Sequence, residues 1–148
     1  MAKLTTKGPK KSILIVDDSE LNRSLLSDML EDDFNIIEAE NGMDAVAILQ
    51  ERELDISLVL LDIVMPKMDG FEVLAVMNNK GWINTIPVIM ISAETGSTYI
   101  DRAYDLGAVD YISRPFDERT VKHRVMSNFM LALKQKEMSD LLAEQVYE

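Results

Sequence analysis

The chain has 148 residues, of which 47% are apolar and 28% charged, enough to build one packed core and too apolar for a disordered polymer. With no cysteine and a single histidine, disulfides, thiolate metal sites and thiol catalysis are excluded. A formal net charge of −11 argues against a nucleic-acid surface and against docking on an anionic membrane.

Residues 1–11 carry Lys3, Lys7, Lys10 and Lys11 around Gly8-Pro9, with no apolar segment behind them. They read as a short solvated tail, not a secretory signal. No run approaches the ~18 apolar residues of a membrane span, so a cytoplasmic location is the expectation.

The first strand is predicted at Ile13-Leu14-Ile15-Val16 and closes on Asp17-Asp18. Ser19 then caps a helix with Leu21, Leu25, Leu26, Met29 and Leu30 as its inward stripe. Residues 34–39 alternate as a second strand, and Asn41 caps a helix with Val46 and Leu49 inward. Ile56-Ser57-Leu58-Val59-Leu60-Leu61 forms a third strand ending at Asp62, and Asp69 caps a helix burying Phe71, Leu74 and Met77. The Lys80-Gly81 turn and Trp82 fall in the longer connection before Pro87-Val88-Ile89-Met90-Ile91, a fourth strand closing on Ser92. A fourth helix starts near Ser97, turns Ile100, Ala103 and Tyr104 inward, and stops at Gly107. Val109-Asp110-Tyr111-Ile112 is the last strand, before Arg114-Pro115, and Asp117 opens the last helix.

Uninterrupted Val/Ile/Leu runs suit strands buried on both faces of a parallel sheet. Strand starts fall about 22, 22, 31 and 22 residues apart, the period of a βα unit. The fold class is therefore α/β: a doubly wound (βα)5 three-layer sandwich around a five-stranded parallel sheet, with an extended C-terminal helix. From Asp117 to Glu148 there is neither Pro nor Gly, which allows up to about 45 Å of helix. Val121, Val125, Met126, Phe129, Met130 and Leu133 suffice to cover a sheet face, whereas Met138, Leu141, Leu142 and Val146 need apolar cover elsewhere. Residues 12–133 are the expected domain and 134–148 a connecting helix leading toward a further domain.

In such sheets ligands bind outside the carboxyl ends of the strands. The residues there are Asp17, Asp18, Asp62, Ser92 and Arg114. Three converging carboxylates call for a divalent cation such as Mg²⁺, and a hydroxyl with a cation opposite suits a phosphoryl group. No Gly-rich phosphate loop is present. Composition and spacing stop at a Mg²⁺ and phosphate site, without saying which phosphate. Taken alone, Asp17-Asp18 reads equally as a solvated strand end. His123, between Lys122 and Arg124, is a structural residue on the last helix.

The motifs Ile13-Leu14-Ile15-Val16-Asp17-Asp18, Leu61-Asp62-Ile63-Val64-Met65-Pro66-Lys67-Met68-Asp69-Gly70, Ile91-Ser92-Ala93-Glu94 and Tyr111-Ile112-Ser113-Arg114-Pro115-Phe116 agree in order, spacing and placement with one family. From about Ser12 to Leu133 the chain resembles the receiver domain of two-component response regulators. The resemblance implies a flavodoxin-like strand order 2-1-3-4-5 and a phosphoryl-accepting switch rather than an enzyme. Asp62 would take a phosphoryl group from a phosphohistidine on a sensor histidine kinase or phosphotransfer protein. Asp18 and Asp62 would ligate Mg²⁺ directly, Asp17 through water, and the Val64 backbone carbonyl would add a ligand. Ser92 would hydrogen-bond a phosphoryl oxygen, and Tyr111 would turn inward as Ser92 moves. Glu94 and Val64 would tune water access, and Pro115 would follow a cis peptide.

The family pattern has lysine where this chain has Arg114. A planar guanidinium either reaches the phosphoryl group bidentately or swings out. The second outcome makes a degenerate receiver acting as a phosphorylation-independent interaction module. A Mg²⁺-dependent phosphatase with an aspartyl nucleophile is the enzyme alternative, but it wants a DxD pattern that Asp17-Asp18-Ser19 lacks. Implied partners are an output domain on the last helix (a cyclic-dinucleotide enzyme, a phosphohydrolase or a DNA-binding domain) and a second copy through strand five and its flanking helices. The acidic domain itself touches neither nucleic acid nor membrane.

Overall fold

The computed structural model describes residues 10–93 and 96–146. Five βα units follow in order: β1 (Ser12–Val16), α1 (Glu20–Leu30), β2 (Asn35–Ala39), α2 (Gly42–Arg52), β3 (Ile56–Asp62), α3 (Gly70–Lys80), β4 (Val88–Ser92), α4 (Ser97–Asp105), β5 (Asp110–Ser113) and α5 (Glu118–Val146). A single 3₁₀ turn, Trp82–Asn84, occupies the longer connection before β4. All paired strands are parallel, in the order β2-β1-β3-β4-β5. The order reverses between β1 and β3, which opens a crevice at their carboxyl ends.

Residues along each central strand alternate between two cores, because successive side chains point to opposite faces. Leu14, Val16, Val59, Leu61, Val88 and Met90 pack with Leu49, Leu74, Met77 and Ala103 from α2, α3 and α4. Ile13, Ile15, Leu58, Leu60, Ile89 and Ile91 pack with Leu26, Leu30, Val121, Val125 and Phe129 from α1 and α5. Phe34 closes that second core edge-on against Phe129, with ring centroids 5.2 Å apart. Helices on both faces leave β1, β3 and β4 without polar alternation, as their sequences require.

Helix starts follow the predicted caps. The side chains of Ser19, Asn41 and Asp69 accept from the backbone N–H of Asn22, Asp44 and Glu72, and Asp69 with Glu72 forms a reciprocal capping box. Asp117 accepts from both the backbone N–H and the hydroxyl of Thr120, bonds that hold its carboxyl below the usual range. Gly81 ends α3 in the left-handed region, at φ +77. Three inward assignments differ. Leu21 and Leu25 are exposed on the outer side of α1, and only Leu26 and Leu30 of that stripe are buried. Tyr104 likewise faces out, leaving Ala103 as the buried residue of α4.

Helix α5 runs unbroken over 29 residues, through the polar 134–137 segment. Its first half is stapled to β5. Arg124 donates to Asp110 Oδ1 at 3.1 Å and to the Tyr111 carbonyl, and Asn128 donates to Asp110 Oδ2 at 3.0 Å. Beyond residue 133 it leaves the body of the domain, with Met138, Leu141 and Leu142 each more than half exposed. Among the described residues no helix is long and apolar enough to cross a membrane.

Candidate functional site

Asp17, Asp18 and Asp62 meet where the strand order reverses. Each offers a carboxylate oxygen within 4.8 Å of the others; Asp17 and Asp62 are buried and Asp18 is exposed. Burying two carboxylates side by side is costly unless positive charge accompanies them. Arg114 supplies it. From the turn after β5 its Nη2 lies 3.0 Å from Asp62 Oδ2 and is also paired with Asp17 Oδ2. The second Asp17 oxygen accepts from the Ser19 N–H at 2.9 Å.

The backbone holds these groups in place. The Arg114 N–H donates to the Ser92 carbonyl at 3.0 Å, which ties the arginine to the end of β4. Ser92 is buried beside the carboxylates' strand, and the Arg114–Pro115 peptide is cis, as expected from the sequence. Between β3 and α3, Gly70 N–H donates to the Ile63 carbonyl and Met68 N–H to that of Pro66, both at 2.8 Å. A Cβ on Gly70 would fall on the Asp62 carbonyl oxygen and 2.9 Å from Ile63 Cα. The loop therefore closes against the back of Asp62 only because residue 70 has no side chain. Val64 projects from this loop, 58% exposed.

Tyr111 is already buried, 6% exposed, in the core beneath α4. Glu94 lies outside the described residues. Sequence reasoning missed Arg23, whose Nη1 donates to the Asp17 carbonyl at 2.7 Å while its Nε pairs with Glu38 at 3.0 Å. The signal was its place one turn after the Ser19 cap, where a long side chain reaches back to the strand end.

Burial, with Asp17 beside it, raises the Asp62 carboxyl from 3.8 to about 6, against the opposing pull of Arg114. A carboxyl raised on folding stabilises the protein below its unfolded pKa and loses that contribution as pH rises through the folded value. Ionised Asp62 therefore strains the metal-free fold at neutral pH. Asp62→Asn should melt higher than the parent chain at pH 8 without divalent cation, by about 1–2 kcal/mol once solvent access at the mouth is allowed for. The gap should close toward pH 4. Thermal melts across that pH range check this, and a gap independent of pH would contradict it.

The donor set is hard oxygen throughout, which fits Mg²⁺. Arg114 on the same oxygens marks them as a place where positive charge is held. Fold and site together define a doubly wound α/β domain with an acidic cluster at its switch point that could hold a metal ion. Residues 13–126 match the family profile described as "Response regulator receiver domain", and the chain belongs to that family. Such domains are the regulatory modules of two-component signalling.

The chain is 40% identical over 112 residues to the chemotaxis protein CheY of Halobacterium salinarum, covering 75% of this chain and 90% of that one. It is 37% identical over 134 residues to a Vibrio cholerae protein named "Probable cyclic di-GMP phosphodiesterase", covering 90% of this chain but only 29% of that protein. The fold superposes with a TM-score of 0.74, at 37% identity, on a chain of the CheX-CheY-BeF3-Mg²⁺ complex from Borrelia burgdorferi, covering 80% of this chain and 89% of that one.

Proposed function

We propose that this domain accepts a phosphoryl group on Asp62 from a phosphohistidine of a sensor kinase or phosphotransfer protein. The observation that carries the reading is the buried Asp62 carboxylate held between Asp17 and Arg114 at the switch point, with Ser92 on the adjacent strand. One Asp62 oxygen attacks phosphorus; the new P–O bond forms as the P–N bond breaks, and the imidazole leaves. Such transfer asks for in-line positioning and charge neutralisation more than for covalent help. Asp18 and Asp62 would hold Mg²⁺ directly, Asp17 through water, and the Val64 carbonyl would complete the seat. When bound, the ion neutralises charge on the transferring oxygens. Ser92 donates to one phosphoryl oxygen and Arg114 pairs with another, while Tyr111 reads the change at β5.

Arg114 lies inside the crevice, not swung out of it, which favours phosphorylation over the interaction-only module. Incubation of the chain with Mg²⁺ and a small acyl-phosphate donor, followed by intact mass, tests the reading. One added phosphoryl mass, abolished by chelator, is expected; an unmodified chain would sink it.

Leu21 and Leu25 are exposed on α1, the helix that follows Asp17 and Asp18 in the chain, and suit an apolar contact with the donor protein. Leu21→Asp with Leu25→Asp should slow transfer from the cognate phosphodonor at least about tenfold. It should leave uptake from the small donor unchanged, a split that loss of fold cannot produce.

Residues 12–133 are the receiver in this reading, and the stretch from 134 onward, which as far as Val146 is the outer part of α5, connects it to an output domain. The relative named as a cyclic-dinucleotide phosphodiesterase, of which this chain spans under a third, supports an enzyme of that class there. β5 with its flanking helices is the face for a second copy. The domain is regulatory, turning over only its own acyl phosphate, in a cytoplasmic setting where kinase and Mg²⁺ are at hand.

A further inference from the structure

The cation seat and the Arg114 guanidinium claim the same oxygens. Asp62 Oδ2 receives Nη2 at 3.0 Å, and Asp17 Oδ2 receives the same nitrogen. Asp17 Oδ1 is committed to the Ser19 N–H, so both oxygens of that carboxylate are engaged while Arg114 is docked. Mg²⁺ is small, insists on near-octahedral oxygen geometry and carries its own waters. The Arg114 nitrogen paired with both Asp17 Oδ2 and Asp62 Oδ2 competes with a cation for those oxygens.

The docked arginine is also incompletely satisfied. Its Nε is buried without a hydrogen-bond partner, and an unmade bond of that kind destabilises the pose that contains it. The docked guanidinium already lies over the Phe116 ring, its carbon 5.8 Å from the ring centroid, and a guanidinium released from the carboxylates can keep that cation–π stabilisation. The Arg114 backbone need not move, since its N–H is bonded to the Ser92 carbonyl.

We propose that Arg114 is a built-in counter-cation that Mg²⁺ must displace, so that metal loading is an exchange and the guanidinium sets the Mg²⁺ concentration at which the domain becomes competent. This rests on the reading of Asp17, Asp18 and Asp62 as the metal seat. A single nitrogen, Nη2, reaches both carboxylates, so what fixes the arginine there is charge together with the weak hydration of a guanidinium. A lysine ammonium keeps the charge but is more strongly hydrated and gives way to the cation more readily.

Calorimetric titration of the full chain with MgCl₂ at fixed ionic strength tests the exchange. Arg114→Gln should bind Mg²⁺ about tenfold more tightly than the parent, with Arg114→Lys between them. The lysine variant keeps a cation among the carboxylates and covers the case in which Arg114→Gln fails to fold. Arg102→Gln removes an equal charge from α4, where the guanidinium lies over the Phe71 ring and is not among the charges that act on Asp62, and should change affinity less than about twofold. In the parent, the ¹⁵N resonance of Arg114 Nε should shift on titration. Equal affinities for parent, Arg114→Gln and Arg114→Lys overturn the exchange, as does an equal gain from Arg102→Gln. If neither the parent nor any Arg114 variant binds Mg²⁺, the seat itself is wrong and the exchange falls with it. Binding by the parent that is lost in Asp62→Asn, without a gain in the Arg114 variants, defeats the exchange alone.

Discussion

Asp62→Asn takes up no phosphoryl group from a small acyl-phosphate donor under conditions in which the parent gains the mass of one. The loss should be at least about a thousandfold in initial rate, because an amide oxygen neither attacks phosphorus usefully nor yields an acyl phosphate. Neighbouring carboxylates do not substitute. Both Asp17 oxygens are engaged, by Ser19 and Arg114, and Asp18 is exposed at the rim. The same variant should gain thermal stability at neutral pH in the absence of metal, which separates a lost nucleophile from a lost fold. Intact mass of parent and variant side by side reads the result; persistent modification of Asp62→Asn would move the acceptor to another residue.

Gly70→Ala should damage the site through the backbone. The added methyl falls on the Asp62 carbonyl oxygen and crowds Ile63 Cα. Main chain cannot rotate away as a side-chain tip can, so either the 63–69 loop lifts or α3 shifts by part of an ångström. Overpacking of this kind costs about 2–3 kcal/mol, and the displaced loop carries Val64, a proposed contributor to the cation seat. The expected signature is a lower melting temperature together with weaker Mg²⁺ binding. Gly96→Ala, whose Cβ would meet only the edge of Tyr99 at 3.8 Å, serves as the control that leaves both nearly unchanged.

Much of this architecture is legible in the chain because its elements are unusually unambiguous. β1, β3 and β4 are covered on both faces, so their sequences carry no polar alternation to confuse a strand with a loop. Ser19, Asn41 and Asp69 mark helix starts by a local hydrogen bond that needs no tertiary context. The acidic cluster is legible for a related reason: each member directly follows or ends a strand, and parallel strands deliver those ends to one crevice.

What stays hidden depends on neighbours distant in sequence. Leu21-Leu25 and Leu26-Leu30 are two adjacent rows on α1, and helical spacing alone does not say which row meets the sheet. The packing against Phe129 from α5 settles it for Leu26 and Leu30. Tyr104 has the spacing of a core residue, yet Ala103 takes the contact because α4 lies close to α3, with Arg102 over the Phe71 ring and Tyr99 stacked on it. The direction of Arg114 follows from charges contributed by Asp17, just after β1 and 97 residues upstream, and by Asp62 at the end of β3.

The staple between β5 and α5 has a mechanical consequence. Arg124 and Asn128 grip Asp110 and the Tyr111 carbonyl, so the strand holding the proposed aromatic reporter and the root of the long helix turn as one rigid piece. Beyond residue 133 the helix projects roughly 20 Å as a lever arm. A tilt of about 6° at the root therefore sweeps the far end through about 2 Å, the scale on which packed helices change partners. With an output domain on α5, as proposed, no large internal rearrangement would be needed to reach it; the fulcrum would sit at β5, with the arm supplying the gain.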